Sequence, residues 1–257
     1  MLYVGTSGWQ YAHWKGGLYP DDLPEGRWLE RYAAAFQTVE VNSTFYRLPS
    51  ETTFAAWAEH TPEDFVVALK MSRFLTHVKR LEDPAEPVAR LLARAARLGP
   101  KLGPVLLQLP PTLRGDAKLL DDALACFPAE VRVAVEPRES SWFSDAVAEV
   151  LGNRGAALCL ADRPGWDPPR WRTTGWGYVR LHEGQARARP CYGRPALDRW
   201  AAALAERFSP EADVFAYFNN DARGCAPRDA GRFARCAERK GLRPTRAPAP
   251  GAVGLTG

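Results

Sequence analysis

No apolar run in this 257-residue sequence approaches the length that a membrane-spanning helix needs, and no charged and apolar leader precedes the first predicted strand. The chain has five cysteines, an odd number, and none of them has CxxC spacing. The sequence therefore indicates neither a disulfide framework nor a zinc knuckle. We expect a cytoplasmic protein with reduced thiols at Cys126, Cys159, Cys191, Cys225 and Cys236.

Lysine is also scarce, since only six of the 34 basic residues are lysines. The net charge of +4 permits an anionic partner without requiring one, and no basic run stands out. With 46% hydrophobic and 25% charged residues, the chain has the composition of a globular protein that buries a substantial core.

The sequence contains no fixed-period repeat and no nucleotide-cofactor motif. Gly5-Thr6-Ser7-Gly8 lacks the third glycine and the spacing of a dinucleotide-binding fingerprint. No interdomain linker is visible either. Because the fingerprint and a linker are both missing, a doubly wound sheet is the second choice after a single barrel.

Short aliphatic or β-branched runs alternate eight times with longer stretches, as expected of parallel strands joined by crossover helices. The predicted strands are Leu2–Thr6, Gln37–Asn42, Phe65–Lys70, Val105–Leu109, Val131–Glu136, Ala156–Asp162, Gly177–His182 and Asp213–Asn219. An all-parallel barrel of about 250 residues accounts for this order. We predict an α/β fold, a single (β/α)8 TIM barrel, over residues 1–243.

Two segments depart from the regular pattern. Arg163–Trp176, between the sixth and seventh strands, holds three prolines and three tryptophans, so we expect an irregular segment instead of a full helix. Residues 244–257 are rich in Pro, Gly and Ala and are predicted to form a flexible tail.

Strand register predicts a polar pocket. Side chains alternate across a strand, so a terminal residue shares its face with those two and four positions earlier. In the fifth strand Val133 and Val135 suit packing against helices, which leaves Glu136 facing the barrel interior. The strand ends predicted to face inward are Thr6, Glu40, Asn42, Lys70, Gln108, Glu136, Asp162, Arg180, His182 and either Asn219 or Asn220. Barrel enzymes place their sites at this end.

These polar ends also have a purely structural explanation. Lys70 and Arg180 would neutralise Glu40 and Glu136 in a polar plug without function. Burial of unpaired charge is costly, however, and polar groups at all eight strand ends favour a functional pocket.

Several motifs resemble the YecE-like family. They are Gly5-Thr6-Ser7-Gly8-Trp9 with Tyr11 and Trp14, Val39-Glu40-Val41-Asn42 with Thr44-Phe45-Tyr46, Gln108-Leu109-Pro110-Pro111, Glu136 with Arg138, Ser141-Trp142, Tyr178-Val179-Arg180-Leu181-His182, and Phe218-Asn219-Asn220-Asp221 with Gly224. The resemblance spans roughly Tyr3 to Ala230 and implies a TIM barrel without an established reaction, substrate or cofactor. Two positions depart from the family pattern, in which a glycine is common at Glu183 and an asparagine is usual near Asp229.

Acid–base chemistry is the leading interpretation of the pocket. Glu136 or Glu40 would act as a general base and His182 as a general acid, while Lys70 or Arg180 would stabilise developing negative charge. Lys70 would form a Schiff base only if its neighbours lowered its pKa, and we expect the nearby carboxylates to keep it charged.

A divalent metal is a further possibility. Glu136, Asp162 and His182 end three consecutive predicted strands and would offer carboxylate and imidazole ligands to one ion. The alternative is a hydrogen-bonded carboxylate–histidine pair without metal.

Other functions stay open. Glu40 and Glu136 would suit a glycosidase if their separation allowed it, with sugars stacking on aromatic residues. The aromatic candidates are Trp9, Trp14, Tyr46, Trp142 and Trp166. Nucleic-acid binding would use Arg138, Arg163, Arg170 and Arg172 as phosphate contacts. A non-catalytic receptor for a small anion is the third alternative.

We therefore predict an enzyme, an isomerase, lyase or hydrolase, that acts on a small polar, sugar-like or phosphorylated compound. The catalytic candidates are Glu136, His182 and Lys70. The substrate-binding candidates are Thr6, Trp9, Glu40, Asn42, Tyr46, Gln108, Arg138, Trp142, Arg180, Asn219, Asn220 and Asp221.

Overall fold

A computed structural model describes residues 1–166, 168–187 and 189–255 of the chain. Its eight strands are β1 Leu2–Thr6, β2 Thr38–Val41, β3 Val66–Lys70, β4 Leu102–Gln108, β5 Val133–Glu136, β6 Ala157–Asp162, β7 Gly177–Leu181 and β8 Val214–Phe218. All pair in parallel in the order β1-β8-β7-β6-β5-β4-β3-β2. The predicted TIM barrel is confirmed, and each predicted strand overlaps an observed one.

The barrel closes between β1 and β2 at its upper rim. Ser7 forms an isolated parallel bridge with Glu40, and the Gly8 amide donates to the Glu40 carbonyl at 2.8 Å. Gly5 permits this close approach, because a Cβ atom there would lie 2.4 Å from the Thr38 carbonyl oxygen. Glycine is required where two backbones come this near.

Helices surround the sheet. They are α1 Trp28–Ala35, α2 Ser43–Tyr46, α3 Glu51–Glu59, α4 Ala85–Ala95, α5 Ala117–Leu124, α6 Asp145–Asn153, α7 Arg194–Arg207 and α8 Cys225–Glu238. Ser50, Asp116 and Ser144 cap α3, α5 and α6 by accepting backbone N–H groups of the first turn. Such caps satisfy donors that have no partner within the helix.

Two apolar layers stabilise the barrel. The outer layer joins alternate strand residues, such as Val39, Leu69 and Val135, to the helices. The inner cluster contains Ala68, Leu106, Ala134, Ala157, Cys159, Ala161, Tyr178, Phe215 and Tyr217. The inner residues fill the lower barrel and leave polar strand ends above them.

Of the two segments predicted to depart from the regular pattern, one agrees with the prediction and the other does not. No helix occurs between β6 and β7 in the residues described there, which confirms the predicted irregular segment; Asp167 lies outside the described residues. The predicted flexible tail needs correction. Leu2 exchanges backbone hydrogen bonds with Arg243 and Thr245, and Arg246 forms an ion pair with Asp64 at 3.0 Å. These contacts attach the start of the tail to the barrel, while residues 256–257 lie outside the described part.

One disulfide contradicts the expectation that all five cysteines are reduced. Cys191, in the segment before α7, is bonded to Cys225 at the start of α8. The two cysteines are 34 residues apart and come together only through the fold, so their spacing in the sequence gives no sign of the bond. Disulfides are typical of oxidising compartments, so reduced cysteines no longer argue for a cytoplasmic location, which stays a prediction.

Among the described residues, no helix combines the length and the apolar character that a membrane crossing requires.

Candidate active site at the carboxyl ends of the strands

A cavity of about 640 Å³ opens at the carboxyl ends of the strands. Its lining is mostly polar and comes from six of the eight strand ends and the loops that follow them. The lining residues are Tyr11, Asn42, Tyr46, Lys70, Gln108, Arg138, Arg163, Pro164, Arg180, His182, Glu183 and Asn219. This volume suits a small-molecule ligand.

The register argument is correct for most strands. Ala68, Leu106 and Ala134 pack in the inner cluster, so the residues two positions later, Lys70, Gln108 and Glu136, also face inward. Glu40 on β2 and Arg180 on β7 follow the same rule, as do Asn42 and His182, which come directly after these two strands. Asn219, not Asn220, is the inward residue after β8.

The prediction that Thr6 and Asp162 face the barrel interior is wrong. Thr6 shares its face with Leu2 and Val4 of the outer layer, and its hydroxyl contacts the Tyr32 hydroxyl in α1 at 2.9 Å. The Asp162 carboxylate accepts the Trp200 indole N–H at 3.0 Å, on the helix side of β6. Neither residue lines the cavity.

Four other predicted binding residues lie away from the cavity. Trp9 is buried against Trp57, and Trp142 is fully buried with its indole N–H donating to the Leu113 carbonyl. Asn220 donates to Asp229 at 2.9 Å. The Asp221 carboxylate accepts the Trp14 indole N–H and contacts His13. These four residues support the surrounding loops.

Arg180 connects the two buried carboxylates. Its Nη1 donates to Glu136 at 2.7 Å and its Nη2 donates to Glu40 at 2.8 Å. Glu40 also accepts the hydroxyls of Ser7 and Tyr178, each at 2.7 Å. Both carboxylates are 0% exposed. The predicted polar plug therefore exists, but its cations are Arg180 and Arg138, and Lys70 takes no part.

Glu136 has further partners above Arg180. Arg138 lies 2.7 Å from its Oε1 and His182 lies 3.0 Å from the same oxygen. The Asn219 amide lies 3.1 Å from Nδ1 of His182. If the amide donates there, the proton of a neutral imidazole is on Nε2 and points to Glu136. Both ring nitrogens are thus engaged.

These contacts determine the protonation states. Burial raises the pKa of Glu136, but Arg180, His182 and Arg138 outweigh it and lower the pKa well below its ordinary value of 4.5. The pKa of Glu40 is lowered in the same way, because Arg180, Ser7 and Tyr178 outweigh burial. Burial lowers the pKa of His182, so the ring is neutral near pH 7. A carboxylate that is shielded and held ionised in this way has little tendency to accept a proton, which does not favour Glu136 as a general base.

Neither carboxylate lines the cavity, because both lie beneath Arg180 and its neighbours. A glycosidase needs two carboxyl groups that flank the sugar, so this arrangement does not favour that interpretation.

Lys70 differs from the other charged residues. Its ammonium donates to the Gln108 side-chain oxygen at 2.6 Å, and no carboxylate among the described residues lies within ion-pair distance. Burial lowers the pKa of Lys70 to about 8, and Arg180 adds to the effect. The carboxylates Glu40 and Glu136 raise it too weakly to compensate. The nearby carboxylates therefore do not keep the pKa at its ordinary value of 10.5, but with a pKa of about 8 most Lys70 side chains are still charged at pH 7.

The predicted metal triad does not come together. Glu136 and His182 are in contact, but the Asp162 carboxylate points to α7 on the other face of β6. Among the described residues, no group of three His, Cys, Asp or Glu side chains is arranged to hold a metal ion. The observed pair matches the alternative of a carboxylate–histidine hydrogen bond.

Three buried polar atoms at the cavity have no hydrogen-bond partner among the described residues. They are Oδ1 of Asn42, Nε of Arg138 and Nε of Arg180. Buried polar groups are normally hydrogen-bonded, so these three atoms are exceptions at the edge of the cavity.

A family model with the description "Protein of unknown function DUF72" matches residues 3–252. The chain belongs to the DUF72 family. This confirms the resemblance to YecE-like proteins, and it assigns no reaction.

Two curated relatives carry UPF0759 names. The chain is 32% identical over 158 residues to UPF0759 protein YecE of Escherichia coli strain K12, a match that covers 60% of this chain but only 55% of that protein. It is 27% identical to UPF0759 protein YunF of Bacillus subtilis strain 168, over 88% of this chain and 91% of the relative.

Solved DUF72 structures share the fold. A Thermotoga maritima family member superposes with a TM-score of 0.80 at 28% identity, covering 93% of this chain and 99% of its own. A member from Enterococcus faecalis superposes with a TM-score of 0.77 at 20% identity, covering 93% of this chain and 96% of its own.

The four arginines proposed to contact a nucleic acid are divided between the cavity and other parts of this DUF72 chain. Arg138 and Arg163 line the strand-end cavity. Arg170 lies 5.3 Å from the Trp200 ring, and Arg172 donates to the Arg207 carbonyl. Nucleic-acid binding stays a prediction without support from a common arginine surface.

Several site residues escaped prediction. Ser7 and Tyr178 bind Glu40. Both occupy positions that face inward by the alternation of β1 and β7, so strand register could have identified them. Tyr11, Pro164 and Glu183 come to the cavity on loops, where no periodic rule applies.

Proposed function

We propose that this DUF72 chain is an enzyme that binds a small anionic, polar compound in the strand-end cavity and acts on it by acid–base chemistry. Lys70 is the proposed acid–base group. The observation that carries the proposal is an ammonium group at the cavity that has no carboxylate partner in the described part of the chain, beside two arginines that already neutralise the buried acids.

The charge of the cavity supports an anionic ligand. Lys70, Arg138, Arg163 and Arg180 line it, whereas Glu183 is the one acidic residue in the described lining. Arg138 and Arg180 are both ion-paired to Glu136, so they are held rigidly while their Nε atoms stay unpaired. Fixed cationic donors are well suited to phosphate or carboxylate oxygens.

The protonation of Lys70 supports a chemical role. With a pKa of about 8, Lys70 exists as both ammonium and amine near neutral pH and can donate or accept a proton. His182 is less suitable, because Glu136 and Asn219 engage its two nitrogens. The isomerase, lyase and hydrolase classes all use such proton transfer, and the substrate decides among them.

A paired-ligand thermal-shift experiment tests this function. Ribose 5-phosphate, glycerol 3-phosphate and inorganic phosphate are compared with ribose and glycerol on the wild type. A ligand at about 100 times its Kd stabilises a protein by about 2.7 kcal/mol, which raises the Tm of a chain of this size by about 5–10 °C. We expect the anionic probes to raise the Tm and the neutral ones to have no effect.

Two lysine variants complete the experiment. Lys70→Met should lose most of the anion response, and Lys118→Met, which removes an exposed ion pair with Asp122, should keep it. Equal stabilisation by neutral and anionic probes, an undiminished response in Lys70→Met, or no response to any anion would contradict the proposal. Turnover is then measured by mass spectrometry on compounds related to the best probe.

A further inference from the structure

We propose that Lys70 forms a covalent imine with a carbonyl compound that also carries an anionic group. The inference rests on the proposed function, and it narrows the substrate class to aldehydes or ketones bearing a phosphate or carboxylate. It also gives Lys70 a nucleophilic role in addition to proton transfer.

The position of Lys70 suits attack on a bound molecule. The residue ends β3 and is 8% exposed, so the amine is held by the barrel and still lines the cavity. Its one hydrogen-bond partner among the described residues is the amide oxygen of Gln108. A neutral amine has a lone pair in addition to its N–H donors. The contact with Gln108 uses one donor, so the lone pair stays free to attack a substrate carbon.

The surroundings of Lys70 favour the reactive, neutral amine. Burial contributes most, and the guanidinium of Arg180 on β7 adds repulsion, as does Arg138 beyond β5. Glu40 on β2 and Glu136 on β5 act in the opposite direction, but Arg180 and Arg138 together neutralise the two carboxylates. A further titratable neighbour, His77, has its own pKa lowered by burial and then by Lys70. A lysine is nucleophilic when its pKa is lowered in this way.

One aromatic ring stabilises the product of the attack. Nζ of Lys70 lies 4.1 Å from the ring centroid of Phe45. A protonated imine is a cation at the same nitrogen, so the ring face stabilises it as it stabilises the ammonium. The ring thereby offsets part of the penalty that burial and Arg180 place on a cation at this nitrogen.

The same cavity offers groups for the rest of the substrate. Nε of Arg138 is an unpaired donor suited to a phosphate or carboxylate oxygen. Oδ1 of Asn42 is an unpaired acceptor suited to a substrate hydroxyl. Both atoms are buried at the cavity that Lys70 lines.

The reaction balances without an oxidant or a reductant. The ammonium first loses one proton to solvent, and the amine lone pair then forms a bond to the carbonyl carbon. The carbonyl oxygen gains the second nitrogen proton and one proton from solvent and leaves as water. The result is a protonated carbon–nitrogen double bond, formed from one lysine ammonium and one carbonyl group.

Reductive trapping tests the inference. The protein is incubated with sodium cyanoborohydride and either dihydroxyacetone phosphate, pyruvate or uncharged dihydroxyacetone, and the intact mass and the modified peptide are determined. We expect one adduct per chain on Lys70 with the two anionic probes, formed at least about tenfold faster than with dihydroxyacetone. Lys70→Arg should form no adduct at this peptide, and Lys118→Arg should react as the wild type does.

The pH dependence separates Lys70 from an ordinary surface lysine. Below pH 7 the trapping rate should rise about tenfold per pH unit and then level off above pH 9, because the amine is half neutral at about pH 8. A surface lysine continues to gain reactivity up to about pH 10.

Two results would overturn the imine. One is the absence of any adduct with all three probes, and the other is modification that persists unchanged in Lys70→Arg because other lysines carry it. If the anionic probes raise the Tm but leave no adduct, the imine fails while the proposed function stands. If neither effect occurs, both fail.

Discussion

Arg180→Met is expected to lower the free energy of unfolding by about 4 kcal/mol at pH 7, the largest effect of any single change in the site. The substitution leaves the carboxylates of Glu40 and Glu136 buried without the cation that both of them contact at 2.7–2.8 Å. Removal of one partner from a buried ion pair costs about 3–5 kcal/mol, and here one guanidinium serves two acids. Urea denaturation at pH 7 measures the loss.

Two further variants show whether the unpaired buried carboxylates cause this loss of stability. Arg97→Met removes an exposed ion pair with Glu51 and should cost less than about 1 kcal/mol. The triple variant Arg180→Met, Glu40→Gln, Glu136→Gln removes the buried acids together with the cation, and it should recover at least half of the lost stability. A single variant no less stable than Arg97→Met would refute the role given to Arg180.

Acid is expected to destabilise the protein in two steps. The pKa of buried His182 is lowered from 6.5, so the unfolded chain binds that proton more readily and stability falls as the pH drops below about 6.5. The pKa values of Glu40 and Glu136 are lowered from 4.5, so their contribution is fully present above that value and is lost as the pH falls further. Each group changes stability by up to about 1.4 kcal/mol per pH unit.

The triple variant again provides the comparison. It lacks both carboxylates and keeps His182, so between pH 4 and pH 3 it should lose about 2 kcal/mol less than the wild type. Denaturant titrations at half-unit pH intervals measure the two profiles. Parallel profiles below pH 4.5 would mean that Glu40 and Glu136 are not held ionised by the fold.

The fold could be predicted because parallel strands have a clear local signal. In β3 and β5, small or polar residues alternate with large aliphatic ones, so the helix-facing side was evident from Val67 and Leu69 or Val133 and Val135. Once that parity is known, the inward direction of Lys70 and Glu136 follows from geometry alone.

The same rule failed where the pattern is ambiguous. The run Ala157-Leu158-Cys159-Leu160-Ala161 is apolar on both faces, as expected of a strand covered on both sides. Nothing in it shows that Ala161 faces inward and Asp162 outward. In β1 the inward positions belong to Tyr3 and Gly5, and the polarity of Thr6 was misleading.

The ion pairs of the site could not be predicted from the sequence, because they depend on distances between side chains of different strands. The sequence indicated that Lys70, Arg180, Glu40 and Glu136 share a pocket, but not which cation serves which acid. Arg180 contacts both carboxylates, which leaves Lys70 with Gln108. The disulfide between Cys191 and Cys225 is likewise a product of tertiary contact.

The protonation of Lys70 is the point on which the functional account depends, and NMR measures it directly. Lysine amines labelled by reductive 13C-methylation are titrated with and without inorganic phosphate, and the Lys70→Arg variant assigns the resonance. We predict a midpoint near pH 8 that shifts upward when phosphate binds. A midpoint near pH 10.5, unchanged by phosphate, would show that Lys70 is an ordinary lysine and would contradict the account.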